Sequence, residues 1–171
     1  DRIHHMDLVR QWQDRSLTDF APDGGGRYMA FISWPFQREN TPLGRLPDWD
    51  GSGEFPGDVV AMLDGSGEKL VDPEFGRKLR LAGASEYLRT QAISRLMIDN
   101  VYSIGASWVT MGPHVGQLAL NFGANDMGSV MMEENVVSAA GTTYCLNEPI
   151  LCHLIRDAGF TPAQRDNAYD L

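Results

Sequence analysis

Three acids and an amide stand close together in the second half of the sequence: Asn125 and Asp126, then Glu133 and Glu134. A carboxylate is anionic, offers two oxygens and is tuned by burial, so each acid could orient a sugar hydroxyl or take a proton. Asp126, Glu133 and Glu134 are the candidate catalytic groups, and Asn125 is a candidate ligand contact. Each pair also has a structural explanation. Asn-Asp favours turns through local side-chain hydrogen bonds, and adjacent glutamates at a helix start complement the helix dipole. His114 could donate a proton or hydrogen-bond a carboxylate, because imidazole titrates near neutrality. Ser107 offers a hydroxyl nearby. An earlier polar set, Gln37, Asn40 and Thr41, follows the aromatic Trp34 and could face a substrate. No serine sits in a nucleophile elbow, and no serine–histidine–acid order stands out, so hydrolase chemistry has no positive support.

The elements that must position these groups follow from spacing. Tyr28 to Phe36 is apolar nearly throughout, the pattern of a strand covered on both faces. A second strand is expected over 104–110, where β-branched and aromatic residues cluster. On such a strand Ser107 and Trp108 alternate between faces. Gly112 and Pro113 then open a helix whose Val115, Leu118, Ala119 and Phe122 repeat at helical spacing, and Gly123 stops it. A third strand is expected over 124–130. Strands joined by so short a helix are parallel with a right-handed crossover. The candidate residues then fall at strand carboxyl ends, where ligands bind in parallel α/β folds.

Further helices are expected over 2–15, with Ile3, Met6, Val9 and Trp12 as its apolar stripe, and from a Ser85 cap to Asp99, with Leu88, Ala92 and Leu96 and the neighbouring Tyr87, Ile93 and Met97 inward. The best-signed helix starts at the Asn147 cap, turns Ile150, Leu151, Leu154 and Ile155 inward, and ends at Gly159. Residues 42–76 are dense in Gly, Pro and Asp without periodicity, and read as a surface insertion or a lid. The triple glycine Gly24–Gly26 precedes a strand, so it reads as a turn and not a phosphate loop. His4 and His5 are adjacent and cannot readily grip one metal from a helix.

A composition of 43% hydrophobic and 22% charged residues is that of a globular protein. The net charge of −9 disfavours nucleic acid. No apolar run approaches a membrane span, and no signal peptide opens the sequence, so a cytoplasmic location is expected. Cys145 and Cys152 fit no zinc or iron–sulfur spacing and are expected as free, buried thiols. The first residue is not methionine, and the opening residues read like mid-helix, so the chain is expected to be a fragment.

Several runs carry a resemblance. GASWVTMGPHVGQLALNFGANDMGSVMMEENV, AFISWPFQRENT, ASEYLRTQAISRLMIDN and the tail AGFTPAQR with Tyr169 resemble the C-terminal half of radical S-adenosylmethionine enzymes. These are the enzymes of the futalosine route to menaquinone and their relatives that build the deazaflavin chromophore. Ser33 stands where that family usually has proline, and Arg38 and Glu39 also differ. The resemblance implies an α/β fold, the last part of an eight-stranded (β/α)8 barrel: strands 28–36, 104–110 and 124–130 with their helices, incomplete and marginal alone. It implies a cyclase that converts dehypoxanthinyl futalosine to its cyclic form. A [4Fe–4S] cluster would cleave S-adenosylmethionine with an electron from an external donor, and the resulting radical would abstract a ribose hydrogen. The cluster-binding Cys-x3-Cys-x2-Cys motif is absent, so these residues would guide the nucleoside-like substrate and leave radical generation to a missing N-terminal half. Gln164 and Arg165 could close over one end of the barrel. The alternatives are a sister synthase (aminofutalosine or deazaflavin-chromophore) or a stand-alone α/β module binding a small acidic or sugar ligand.

Overall fold

The computed structural model describes residues 2–18, 26–52, 62–63, 69–70, 77–130, 138–139, 141 and 143–171. In chain order its elements are α1 (Arg2–Thr18), β1 (Ala30–Ile32), a 3-10 turn at Leu43–Arg45, β2 (Met62–Leu63), β3 (Lys69–Leu70), α2 (Ala84–Met97), β4 (Ser103–Gly105), α3 (Trp108–Met111), α4 (Pro113–Asn121) and α5 (Glu148–Asp157). β1 and β4 pair in parallel, Ala30 beside Ser103 and Ile32 beside Gly105. α2 lies between them in sequence, as the helix of a parallel crossover. The third expected strand is reduced to one parallel bridge, Gly105 with Asp126. Asn125 N–H donates to the Ile104 carbonyl at 3.0 Å, and Ala106 N–H donates to the Asp126 carbonyl at 2.7 Å. Among the described residues the sheet is this short parallel pair and the bridge, with no closed barrel. Within the expected insertion, β2 and β3 pair antiparallel.

The second strand is shorter than its composition suggests, and the cause lies at Ser107. Its N–H donates to the Tyr87 hydroxyl at 2.7 Å. Its carbonyl accepts from Met111 N–H at 3.1 Å, and the Trp108 carbonyl accepts from Gly112 N–H at 2.8 Å. These bonds wind 108–111 into a helical turn, so Ser107 and Trp108 do not alternate: both are buried. Trp108 is the largest fully buried side chain. At ~25 cal/mol per Å² over the roughly 150–250 Å² of a buried aromatic, its removal from water contributes at most about 4–6 kcal/mol. That outweighs the modest preference of these residues for strand.

Trp108 anchors the main core with Tyr87, Leu120, Met127, Leu151 and Leu154. Met6, Ile98 and Val101 form a second cluster, with Phe31 against it. In α1 the expected stripe is half right: Met6 is buried, but Ile3 and Trp12 are exposed. Gln13 takes part of the inner face, donating to the carbonyls of Tyr28 and Asn100 and accepting from Tyr28 N–H at 2.7 Å. α2 begins at Ala84 with Gly83 as its cap, not Ser85. Its buried residues are Tyr87, Gln91 and Ser94, while Leu96 is 81% exposed. The inner face is polar because it meets strand ends: Gln91 Nε2 donates to the Gly105 carbonyl at 2.7 Å, and Gln91 Oε1 accepts from Ser33 Oγ at 2.8 Å. α5 follows its signals, with Asn147 Oδ1 accepting from Ile150 N–H at 3.0 Å and Leu151 and Leu154 buried. Ile150 itself is exposed.

Candidate functional site

Residues side by side in parallel strands send their side chains to the same face. The register therefore places Ala30, Ile32, Ser103 and Asp126 on one face of the sheet. Beyond β1 the exposure keeps the period of two. Ile32, Trp34 and Phe36 are exposed, while Phe31, Ser33 and Pro35 are half-buried on the helix side. The segment 28–36 is thus open on one face, not covered on both. This open face carries the polar centre of the site.

Asp126 sits there with its side chain 11% exposed. Its Oδ2 accepts from Ser103 Oγ at 3.2 Å and from Arg165 Nε at 2.6 Å, and its Oδ1 accepts from Gly128 N–H at 2.6 Å. A carboxylate has about four acceptor positions, so one position remains for a ligand hydroxyl or proton. Arg165 comes from the tail after α5. Its guanidinium carbon lies 3.9 Å from the Tyr169 ring centroid, and Nη1 donates to the Asp166 carbonyl at 3.0 Å. Asp166 Oδ1 accepts from the N–H groups of Ala168 and Asp170, which folds the tail into a preformed turn. Ser103 and the Arg165 partnership were missing from the candidate set. A lone serine before a strand gives no signal, and Arg165 pairs with an acid 39 residues away.

Asn125 does not reach this face. Its Oδ1 accepts from Arg95 Nη2 at 2.7 Å and from Ile104 N–H at 2.8 Å, while its Nδ2 donates to the Tyr102 carbonyl at 3.2 Å. Arg95 also donates to the carbonyls of Gly123 at 2.7 Å and Tyr102 at 3.2 Å. Partial burial pulls this guanidinium below its ordinary value. Together the two side chains clamp the backbone that leads into Asp126.

The remaining candidates scatter. Ser107 is buried, its Oγ 2.6 Å from Thr110 Oγ1. Tyr87, which accepts the Ser107 N–H, is pushed above its ordinary value by burial, partly offset by that hydrogen bond. Trp34 is 62% exposed and lines a groove of about 510 Å³ with Phe36, Leu43, Leu81 and Tyr87. Gln37 Nε2 donates to the Pro35 carbonyl at 3.2 Å. Thr41 Oγ1 donates to the Arg38 carbonyl and accepts from Gly44 N–H, closing a local turn. Asn40, at φ 57, donates from Nδ2 to the Ala139 carbonyl at 2.7 Å and ties two loops together. His114 is exposed on α4 and is hydrogen-bonded to none of these residues. Glu133 and Glu134 lie outside the described residues.

No three His, Cys, Asp or Glu side chains gather as a metal site among the described residues. The whole sequence has two cysteines, Cys145 and Cys152; both are free but not buried as expected, Cys145 being exposed and Cys152 half-buried. A [4Fe–4S] cluster is held by more thiolates than that, so the residues of this chain do not fit one. No helix among the described residues is long and apolar enough to cross a membrane.

Fold and site together define an α/β chain with a parallel strand pair and an open face that presents a tightly held carboxylate. The chain belongs to the family described as the CofH/MqnC C-terminal region, whose model matches residues 74–171. It is similar to the cyclic dehypoxanthine futalosine synthase of Halalkalibacterium halodurans, 39% identical over 100% of this chain and 35% of that protein. The enzyme of the same name from Streptomyces coelicolor is 37% identical over 99% of this chain and 32% of its own length. The aminodeoxyfutalosine synthase of S. coelicolor is 38% identical over 99% of this chain and 36% of its own length. The chain therefore spans about a third of the length of these relatives.

Proposed function

We propose that this chain is the substrate-handling part of a radical S-adenosylmethionine enzyme that closes dehypoxanthinyl futalosine into its cyclic form. The cluster and S-adenosylmethionine, which would supply the radical chemistry, are then held by polypeptide beyond these residues, and an external donor supplies the electron. The observation that carries the reading is Asp126, on the open sheet face of a chain in this family, with one acceptor position left after Ser103, Gly128 and Arg165 have taken theirs. In this reading Asp126 orients a ribose hydroxyl of the substrate or takes the proton released as the ring closes. Ile32, exposed on the same face, gives the substrate an apolar surface. The tail turn around Arg165 keeps water from that end of the face. Asn125 and Ser107 act on the backbone near the site and do not contact substrate. Glu133 and Glu134 are further candidates for the base.

The test is Asp126→Asn in the complete enzyme, this chain together with its cluster-bearing polypeptide. Conversion of dehypoxanthinyl futalosine is expected to fall by about 10²–10⁴-fold, the range for a positioned acid or base. Turnover within a few-fold of the unsubstituted enzyme would refute the assignment. The sister reading, an aminodeoxyfutalosine synthase, is supported by a relative of nearly equal identity. The same assay separates the two by which substrate is consumed.

A further inference from the structure

We infer that Arg165 is a positioning residue that works through Asp126, so that the C-terminal tail is part of the catalytic apparatus. The inference rests on the reading of Asp126 as the carboxylate that meets substrate. The geometry is specific. Arg165 Nε meets Asp126 Oδ2 at 2.6 Å, the same oxygen that accepts from Ser103 Oγ, while Gly128 N–H holds Oδ1. The carboxylate is thus gripped at both oxygens and cannot turn about its own axis without losing a charge-assisted bond. Arg165 is itself held from behind. Tyr169 stacks on its face at 3.9 Å, the Asp166 carbonyl takes Nη1, and the Asp166 side chain ties down residues 168 and 170. Tyr169 adopts a φ of 68, an uncommon conformation for a tyrosine. The turn closes with the ring set behind the guanidinium. Both members of the pair are largely shielded, with side chains 25% and 11% exposed, so the contact is not a solvated surface pair.

The experiment is a double-mutant cycle in the complete enzyme, with Asp126→Asn, Arg165→Gln and the pair combined. A carboxylate left to wander by about an ångström costs on the order of 100-fold in rate. Arg165→Gln is therefore expected to lower kcat by roughly 10- to 100-fold, with KM changed less than about threefold. Arg165→Lys is expected to recover part of the loss, since it keeps the charge without the planar fork. The double variant is expected to be no slower than Asp126→Asn alone, because a residue acting through Asp126 has nothing further to lose. An unchanged kcat in Arg165→Gln overturns the inference. So does a rise in KM alone, which would make Arg165 a direct substrate contact, and so does an additive double variant. If Asp126→Asn itself is near full activity, the reading of Asp126 fails and the inference falls with it, a result distinct from the other three. Should Arg165→Gln give no folded protein, Tyr169→Leu replaces it in the cycle. It leaves the ion pair in place and removes only the ring behind it, and the same non-additivity with Asp126→Asn decides the outcome.

Discussion

Replacing Arg95 of α2 with leucine keeps an aliphatic group beside Gly123 and deletes the guanidinium that clamps the approach to Asp126. Three acceptors lose a donor: the carbonyls of Gly123 and Tyr102 and Oδ1 of Asn125. Asn125 Oδ1 still accepts from Ile104 N–H, and the Tyr102 carbonyl still accepts from Asn125 Nδ2. Only the Gly123 carbonyl loses its sole side-chain donor. A net hydrogen bond contributes about 0.5–1.5 kcal/mol, and one to a charged group about 1.5–3. Arg95 is half-buried, so solvent replaces part of what is lost, and the expected destabilisation is about 2–4 kcal/mol. At about 1.4 kcal/mol per factor of ten, amide exchange in the clamped segment should accelerate by roughly 30- to 700-fold. The amides to follow are Asn125 and Ala106, whose bonds to Ile104 and Asp126 make the bridge between β4 and the Asp126 segment. Urea denaturation of the purified protein gives the global value, and exchange read by mass spectrometry gives the local one. Arg95→Lys should lie in between, because an ammonium cannot reach three acceptors in one plane. A stability loss under about 0.5 kcal/mol, the range of an ordinary surface substitution, with unchanged protection at Asn125 and Ala106 would refute the reasoning.

Three further outcomes follow from Gly123, which lies against Arg95, and from Tyr87. Gly123→Ala is expected to cost at least about 2 kcal/mol in a denaturant melt, because φ is +101 there and a Cβ would stand 2.6 Å from Arg95 Cβ. Tyr87→Phe removes the acceptor of the buried Ser107 N–H and is expected to cost about 1–3 kcal/mol at neutral pH. Tyr87 also makes a pH-dependent contribution. Burial raises its hydroxyl above the ordinary 10.0, so the folded chain keeps this proton where the unfolded chain releases it. The resulting stability is complete below pH 10 and is lost as pH climbs through the raised value. Melts of the two proteins between pH 8 and pH 11 should therefore show a shallower alkaline fall in Tyr87→Phe, and parallel curves would contradict the assignment.

The legible parts of this chain are those set by neighbours in sequence. The Asn147 cap, Pro149 and the spacing of Leu151 and Leu154 define α5 without help from the rest of the fold, and α4 is likewise announced by Pro113 and closed by Gly123. The bridge of Gly105 with Asp126 sets this acid beside a strand end, where its place in the sequence leads one to expect it. Its partners could not be expected, because Ser103 lies 23 residues away and Arg165 lies 39 away, and nothing local links them. On the inner face of α2, Tyr87, Ile93 and Met97 turn inward as expected, and the rest escaped for a different reason. Apolar periodicity ignores Gln91, which is buried where strand ends present a carbonyl and a hydroxyl, and Ser94, whose hydroxyl donates to the Thr90 carbonyl of its own helix beside Met6, and it promotes Leu96, which faces solvent. The 104–110 strand failed where tertiary contacts override propensity, as the Tyr87 hydroxyl takes the Ser107 N–H and the chain turns helical to bury Trp108.

Gln91 bears on how the two strands find each other. One amide reads both strand ends, taking the Ser33 hydroxyl with its oxygen and giving a proton to the Gly105 carbonyl with its nitrogen, in a place with no solvent at all. If β1 slid by one residue, Ile32 or Trp34 would face that oxygen with hydrocarbon, and the amide would be stranded dry. If β4 slid, a side chain would arrive where Gly105 leaves room for Ile32, whose Cγ1 lies 2.8 Å from where a Cβ would be. A three-residue ladder is too short to fix its own alignment through side-chain alternation. Here the helix between the strands acts as a gauge, and only one alignment satisfies it.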